Sequence, residues 1–320
     1  DWSKRAFGNV GTLAKLGSAT APVSNWLAGS TPVRRLFARG AGVDPRRDLP
    51  AFRRETLRKW DAKRNSTAGA SEPDREVVLF PDVFTNHVDV KRGQAAVRVL
   101  EALDVPVRVA DVVGSGRAPF SQGMLATARE RAEAVADTLA PHLDAGRDVV
   151  FVEPSDLAMV RSEYDKLLPD ERAAKLADGS YDVLEYVYGL LENGADPASL
   201  TAGDGEELTY HAHCQQRTLG LDAHTEAVLG RLGYDLATTE AECCGMAGSF
   251  GYKADYYDLS VAVGESLAEE IEAADGADGA DENRRIVASG TSCEEQLTDL
   301  LDRPTTHPVE LLDPARVPEP

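Results

Sequence analysis

Cys243 and Cys244 stand side by side in Glu-Cys-Cys-Gly-Met-Ala-Gly (242–248), and they are two of only four cysteines in the chain. A thiol pair packs no better than small apolar residues and is open to oxidation and metal capture, so chemistry rather than packing accounts for it. Cys214 lies 28 intervening residues before the pair, in Tyr-His-Ala-His-Cys-Gln-Gln (210–216), and Cys293 lies 48 after it, in Ser-Gly-Thr-Ser-Cys-Glu-Glu (289–295). Thiolates are soft ligands that select iron–sulfur clusters, zinc or copper. A four-iron cubane asks for one thiolate on each iron, which four cysteines supply, and adjacent thiolates diverge enough to reach different irons. A tetrahedral zinc usually draws on Cys-x-x-Cys knuckles, and Cys-Cys is an awkward chelate for it. Two further readings stay open. One is a zinc-binding or metal-free scaffold, the thiols in the metal-free case being left buried from an inactivated site. The other is a thiol redox catalyst at Cys243 or Cys244, its pKa lowered by His211 or His213, which leaves Cys214 and Cys293 without a task.

The elements around these residues alternate between strand and helix signals. Val77–Phe80, Val107–Val113 and Val149–Val152 read as strands, separated by helices over Ala95–Leu103 and Gln122–Leu143 and followed by a helix near Leu157–Leu168. After a helix over Tyr181–Asn193 the order returns: strand Leu208–Ala212, helix Thr225–Leu232, a strand near Leu236, then the cysteine pair. Helix Tyr256–Ala273, strand Arg285–Ala288 and a helix after Thr291 complete it. The expected fold class is therefore α/β, with two pseudo-repeated, mainly parallel sheet units and flanking helices, preceded by a helical N-terminal arm. His211 and His213 alternate with Ala212 on the expected strand, which would turn both to one face.

The two halves align at their strand ends. Val83, Val112-Val113-Gly114 and Asp156 in the first half correspond to Cys214, Cys243-Cys244-Gly245 and Cys293 in the second, with 28 residues between the first two positions in each. A two-residue shift is needed between them, at Leu100 and Leu103 against Leu229 and Leu232. Val-Val-Gly-Ser-Gly (112–116) lacks the third glycine and the acidic partner of a dinucleotide loop, and the repeat explains it better.

Composition sets the boundaries of function. Of the 34 basic residues only 8 are Lys, and they face 54 acidic ones for a net charge of −20. This excess of carboxylate excludes nucleic acid as a partner and suits a salt-rich cytoplasm. Residues 1–65 reverse the balance, with 14 basic and 5 acidic side chains. They read as a basic docking arm of short helices punctuated by Gly17, Pro22, Pro32, Gly40 and Pro50, which would seat on the acidic body, on a preceding domain or on anionic lipid. Asn65–Asp74 reads as a linker, and the acidic stretch Glu269–Glu282 as a helix end running into a flexible loop. No apolar stretch is long enough to span a bilayer, and no secretory signal opens the chain. The four cysteines are therefore expected as thiols or ligands in a reducing, cytoplasmic setting. The opening residue, Asp1 rather than Met, suggests part of a longer polypeptide.

The phrases His-Ala-His-Cys214, Glu-Cys-Cys-Gly-Met-Ala-Gly-Ser-Phe-Gly (242–251), Gly-Thr-Ser-Cys293, Leu-Phe-Pro-Asp (79–82) and Glu-Pro-Ser (153–155) resemble the cysteine-rich CCG domain proteins. These include the CCG-bearing subunit of heterodisulfide reductases, and the similarity is greatest to the C-terminal part of FAD-linked 2-hydroxy-acid dehydrogenases. The resemblance implies a degenerate CCG repeat over 76–175 and a cysteine-bearing one over 176–320. It implies one iron–sulfur cluster, of the 4Fe-4S type, on Cys214, Cys243, Cys244 and Cys293, with Gly245, Gly248 and Gly251 admitting backbone close to it. His211 and His213 become candidates for contact with cluster sulfur, proton relay or a substrate carboxylate. FAD would sit in a missing domain or a partner subunit, beside a ferredoxin-like domain. Electrons would leave to a quinone, a ferredoxin or an electron-transfer flavoprotein, from a cytoplasmic protein or one seated peripherally at the inner face of the membrane. The fuller motif ends in Cys-x-x-Cys, and Gly290 stands at its first cysteine, which argues against a five-thiolate cluster.

Overall fold

The computed structural model describes residues 2–65, 76–276 and 284–316. The expected linker after Asn65 and the far part of the acidic stretch, 277–282, lie outside them. Two compact units emerge, one of residues 1–97 and 105–181, the other of residues 98–104 and 182–320.

The first unit is built on a four-stranded sheet of order β2-β1-β3-β4, with β1 Val77–Phe80, β2 Val107–Val109, β3 Val149–Phe151 and β4 Ser180–Asp182. β1 pairs in parallel with both β2 and β3. Its four apolar residues are all buried, as a central strand covered on both faces requires. Phe80 and Phe151 stack across β1 and β3 with ring centroids 4.5 Å apart. Residues 2–65 belong to this unit. Gly17 and Gly40 interrupt nothing and lie inside helices Val10–Thr20 and Thr31–Ala41. At Gly17 a side chain would overlap the ring of Phe52. Ser18 Oγ meets His87 Nδ1 at 2.8 Å, pinning the arm to the helix that follows β1.

The second unit repeats the design. Its sheet order is β6-β5-β7-β8, with β5 Glu207–His211, β6 Asp235–Thr238, β7 Arg285–Ala288 and β8 Thr305–Thr306, and all its pairs are parallel. The α/β class and the two pseudo-repeated units expected from the sequence are what the structure shows. The two-residue shift also has a structural origin. Val77 pairs with Val107, thirty residues on, whereas Glu207 pairs with Asp235, twenty-eight on. The second unit thus reaches its second strand two residues early, and its longer loop after β6 restores the alignment at the cysteine pair.

Several expected elements differ. The strand expected over Val107–Val113 ends at Val109, because the chain must turn into the loop that carries Gly114 at φ 75°. The helix expected near Leu157–Leu168 runs over Pro154–Ser162, and a further helix, Asp170–Asp178, follows it. β4 and β8, of three and two residues, are too short to show a period. No helix among the described residues is long and apolar enough to cross a membrane.

Candidate metal centre

Each cysteine sits just beyond the C-terminal end of a strand of the second sheet. Cys214 is the first residue of helix Cys214–Thr218, after β5. Cys243 and Cys244 lie in the loop after β6, and Cys293 is the third residue of helix Thr291–Leu301, after β7. Since β5 is central between β6 and β7, the three strand ends are neighbours. Cys244 and Cys293 are buried and Cys214 and Cys243 half-buried, all of them thiols rather than disulfides.

The Cys293 thiol hydrogen-bonds the Cys244 sulfur, and this contact is the largest influence lowering the Cys244 pKa; burial opposes it, and the amides of Met246 and Ala247 reinforce it. The Gly245 N–H donates to Cys243 Sγ at 3.4 Å. Backbone amides aimed at sulfur favour thiolate over thiol. They are also the donors that tune a sulfur-ligated metal centre.

Small residues bring this loop against helix Tyr257–Gly276. Gly245 has φ 85°, and a Cβ there would overlap the Ser260 carbonyl oxygen and stand 3.1 Å from the Gly264 nitrogen. Gly264 has a matching need, because its Cβ would lie 2.8 Å from the Cys244 carbonyl oxygen and 2.7 Å from Gln296 Nε2. Gly251 abuts Met246 and Ser260, while Gly248 (φ 60°) faces open space and donates its N–H to Ser292 Oγ at 3.3 Å. Sequence reading missed Ser260 and Gly264, because this helix carries small residues along its whole length, among them Ala262, Ser266 and Ala268, and none of them singles out these two.

The histidines separate in role. β5 ends at His211, so His213 is not on the strand. It heads the Cys214 helix, where its Nδ1 accepts the Gln215 amide hydrogen at 3.1 Å. That corrects the expectation of two histidines sharing one strand face: a helix N-terminus claims the second, because its amides need an acceptor. His211 is fully buried, with Nδ1 2.9 Å from Thr239 Oγ1 and Nε2 lacking a hydrogen-bond partner. Burial, then the charges of Arg217 and His213, push its pKa down to about 3, so it is a neutral imidazole at physiological pH.

A buried polar network supports this edge. Ser289 Oγ accepts the His213 N–H at 3.0 Å and donates to Gln216 Oε1 at 2.6 Å, which Tyr210 Oη also reaches at 2.7 Å. Arg217 holds the Thr239 carbonyl at 2.6 Å, tying the Cys214 helix to the loop that leads into the pair. Among the described residues no group of three or more His, Cys, Asp or Glu side chains is placed to hold a single metal ion. One tetrahedral zinc would need its sulfurs about 4 Å apart. A cluster distributes its thiolates over several irons, and the donor set on these three strand ends is four thiols.

The corresponding edge of the first unit carries no thiol. Val83 opens helix Val83–His87, as Cys214 opens its own, and Asp82 caps it through the Phe84 and Thr85 amides at 2.8 and 2.9 Å. Gly114 and Gly245 share a positive φ, and Asp156 is the third residue of its helix as Cys293 is. Asp82, Glu153 and Asp156 are buried there. Burial first, then the neighbouring carboxylates of Asp156 and Glu153, raise the Asp82 pKa above the usual carboxylate range.

Residues 208–298 match the cysteine-rich domain family CCG. The chain is 24% identical over 307 residues to a subunit of the anaerobic glycerol-3-phosphate dehydrogenase of Escherichia coli K12, an alignment covering 94% of this chain and 74% of the relative. It is 26% identical over 315 residues to the D-2-hydroxyglutarate dehydrogenase of the same organism, covering 95% of this chain and 29% of that one. The D-2-hydroxyglutarate dehydrogenase of Pseudomonas putida KT2440 is 27% identical over 246 residues, or 76% of this chain and 22% of the relative. The resemblance drawn from the cysteine motifs is thus borne out.

Proposed function

We propose, for a chain that carries a CCG cysteine-rich domain at residues 208–298, that it is the electron-transfer portion of a flavin-linked dehydrogenase oxidising a 2-hydroxy acid. The observation that carries this reading is the delivery of four thiols to one sheet edge by three adjacent strand ends, with Cys244 and Cys293 in contact. Cys214, Cys243, Cys244 and Cys293 would hold one cluster of the 4Fe-4S type, which when bound supplies a one-electron relay. The chain's own residues provide the cage. Gly245 and Gly264 let the loop lie flat on its helix, the Gly245 amide donates to Cys243 sulfur, and the His211 imidazole offers a neutral buried nitrogen beside the Cys214 helix. The first unit, with Val83, Val112, Val113 and Asp156 at the equivalent places, binds no cluster.

The flavin belongs to a preceding domain or a partner subunit, accompanied by a ferredoxin-like domain, and the basic arm over 1–65 is a docking element for them. The relatives support this, one being named a dehydrogenase subunit and the others far longer than the present chain. The acceptor is a quinone, a ferredoxin or an electron-transfer flavoprotein, met in the cytoplasm or peripherally at the membrane. Protein prepared without oxygen is expected to show a broad visible absorption that dithionite bleaches and air restores. One zinc and no iron by metal analysis would favour the scaffold reading, and a folded, colourless, iron-free product would overturn the proposal.

A further inference from the structure

Positions 213 and 290 meet between two cysteine-bearing helices. His213 heads helix Cys214–Thr218, and Gly290, in extended backbone at φ −156°, heads helix Thr291–Leu301. A Cβ at position 290 would overlap the His213 ring, standing 2.9 Å from its Cγ and 3.3 Å from its Cβ. The ring cannot readily withdraw. His213 is 5% exposed, its Nδ1 is committed to the Gln215 amide, and its backbone N–H is held by Ser289 Oγ at 3.0 Å. Backbone conformation at 290 would admit any residue, so the His213 ring is what reserves the place for glycine.

The first unit supplies the control within the same molecule. There the short Asp82 heads the corresponding helix, and Glu153 occupies the position corresponding to Gly290, capping its own helix through the Ser155 amide at 3.2 Å. Both side chains are buried, and the Glu153 charge acts on Asp82. A small cap is thus accompanied by a full side chain opposite, and a large cap by none.

We infer that His213 is the positioning residue that limits the site to four thiols: its ring bars every side chain, a fifth cysteine included, from position 290. The consequence for the cluster rests on the function proposed above, whereas the steric pairing holds in metal-free protein and is tested there separately.

The test is a double-mutant cycle of Gly290→Ala and His213→Asp, the aspartate being the cap that the first unit uses. His213→Asn repeats it with an uncharged cap. In metal-free protein Gly290→Ala should lower the thermal midpoint by about 5 °C, the effect of overpacking a buried site. In the His213→Asp background the same substitution should cost less than half as much, and the Asn background should agree. In anaerobically prepared protein Gly290→Cys alone should lose more than half of the iron. Combined with His213→Asp it should retain iron and change the visible and electron paramagnetic resonance spectra relative to His213→Asp alone. Additive midpoint losses, or a spectrum that Gly290→Cys leaves unchanged in the His213→Asp background, would overturn the inference. Iron-free native protein would instead defeat the cluster reading, while the midpoint cycle would still decide whether the ring bars position 290.

Discussion

Replacing Gly245 by alanine tests whether the cysteine loop depends on close backbone approach. The residue sits at φ 85°, and the new methyl would overlap the Ser260 carbonyl oxygen on helix Tyr257–Gly276. Left-handed backbone at a non-glycine residue costs about 1–2 kcal/mol. Forcing a methyl into backbone that cannot move aside adds about 1–3 kcal/mol. The expected loss is therefore about 2–5 kcal/mol, or roughly 5–15 °C in thermal midpoint for a unit of this size. Gly248→Ala is the matched control: its φ of 60° carries the backbone cost, but no atom lies within 4 Å of the added methyl. That substitution should cost only about 1–2 kcal/mol. Thermal denaturation of both variants as metal-free protein measures the difference directly, and iron retention reads its effect on the site. Equal midpoints for the two variants would refute the close approach at Gly245.

Asp82→Asn keeps a helix cap while removing a carboxyl whose pKa is raised by burial and by Asp156 and Glu153. The raised value means the native state holds this proton more tightly, so the Asp82 contribution to stability is fully present below about pH 4 and is lost as pH rises to about 7. The variant should gain on wild type as pH rises from about 4 to about 7, with no further gain above that, as denaturant midpoints will show. His87 behaves oppositely. Burial, then Lys59, Arg58 and Lys15, hold its pKa down to about 4, so its contribution is present above pH 6.5 and lost as pH falls towards 4. Protection factors for hydrogen exchange in helix Val10–Thr20, which Ser18 pins to His87, should fall on acidification once the slower intrinsic exchange is corrected for, and His87→Asn should blunt the change. Placing cysteine at Val83, Val112, Val113 and Asp156 together should raise iron uptake to about eight atoms per chain, and uptake unchanged from the native protein would count against equivalence of the two edges.

Much of this molecule was legible from its sequence because parallel strands buried on both faces announce themselves. Val77–Phe80 and Arg285–Ala288 were expected at the bounds observed. The repeat was legible because Cys214 and Cys293 stand as far beyond the ends of their strands as Val83 and Asp156 do beyond theirs. What escaped notice depends on tertiary contact. Nothing local distinguishes Gly264 from a weak helix position until the Cys244 carbonyl is seen against it. His213 reads as one more strand residue until the chain turns and its ring becomes the acceptor for Gln215 and the neighbour of Gly290. Likewise Asp82 and Glu153, twin helix caps far apart in sequence, become an acidic pair only when β1 and β3 lie side by side.

Iron counted in the native protein and in the single variants Cys214→Ser, Cys243→Ser, Cys244→Ser and Cys293→Ser, all prepared without oxygen, bears most directly on the joint role of the four thiols. The native protein should hold about four irons per chain, and every variant should lose the native spectrum by bleaching or by conversion to a smaller cluster. A variant at any of the four positions that keeps both the iron and the native spectrum would contradict a cluster shared among them.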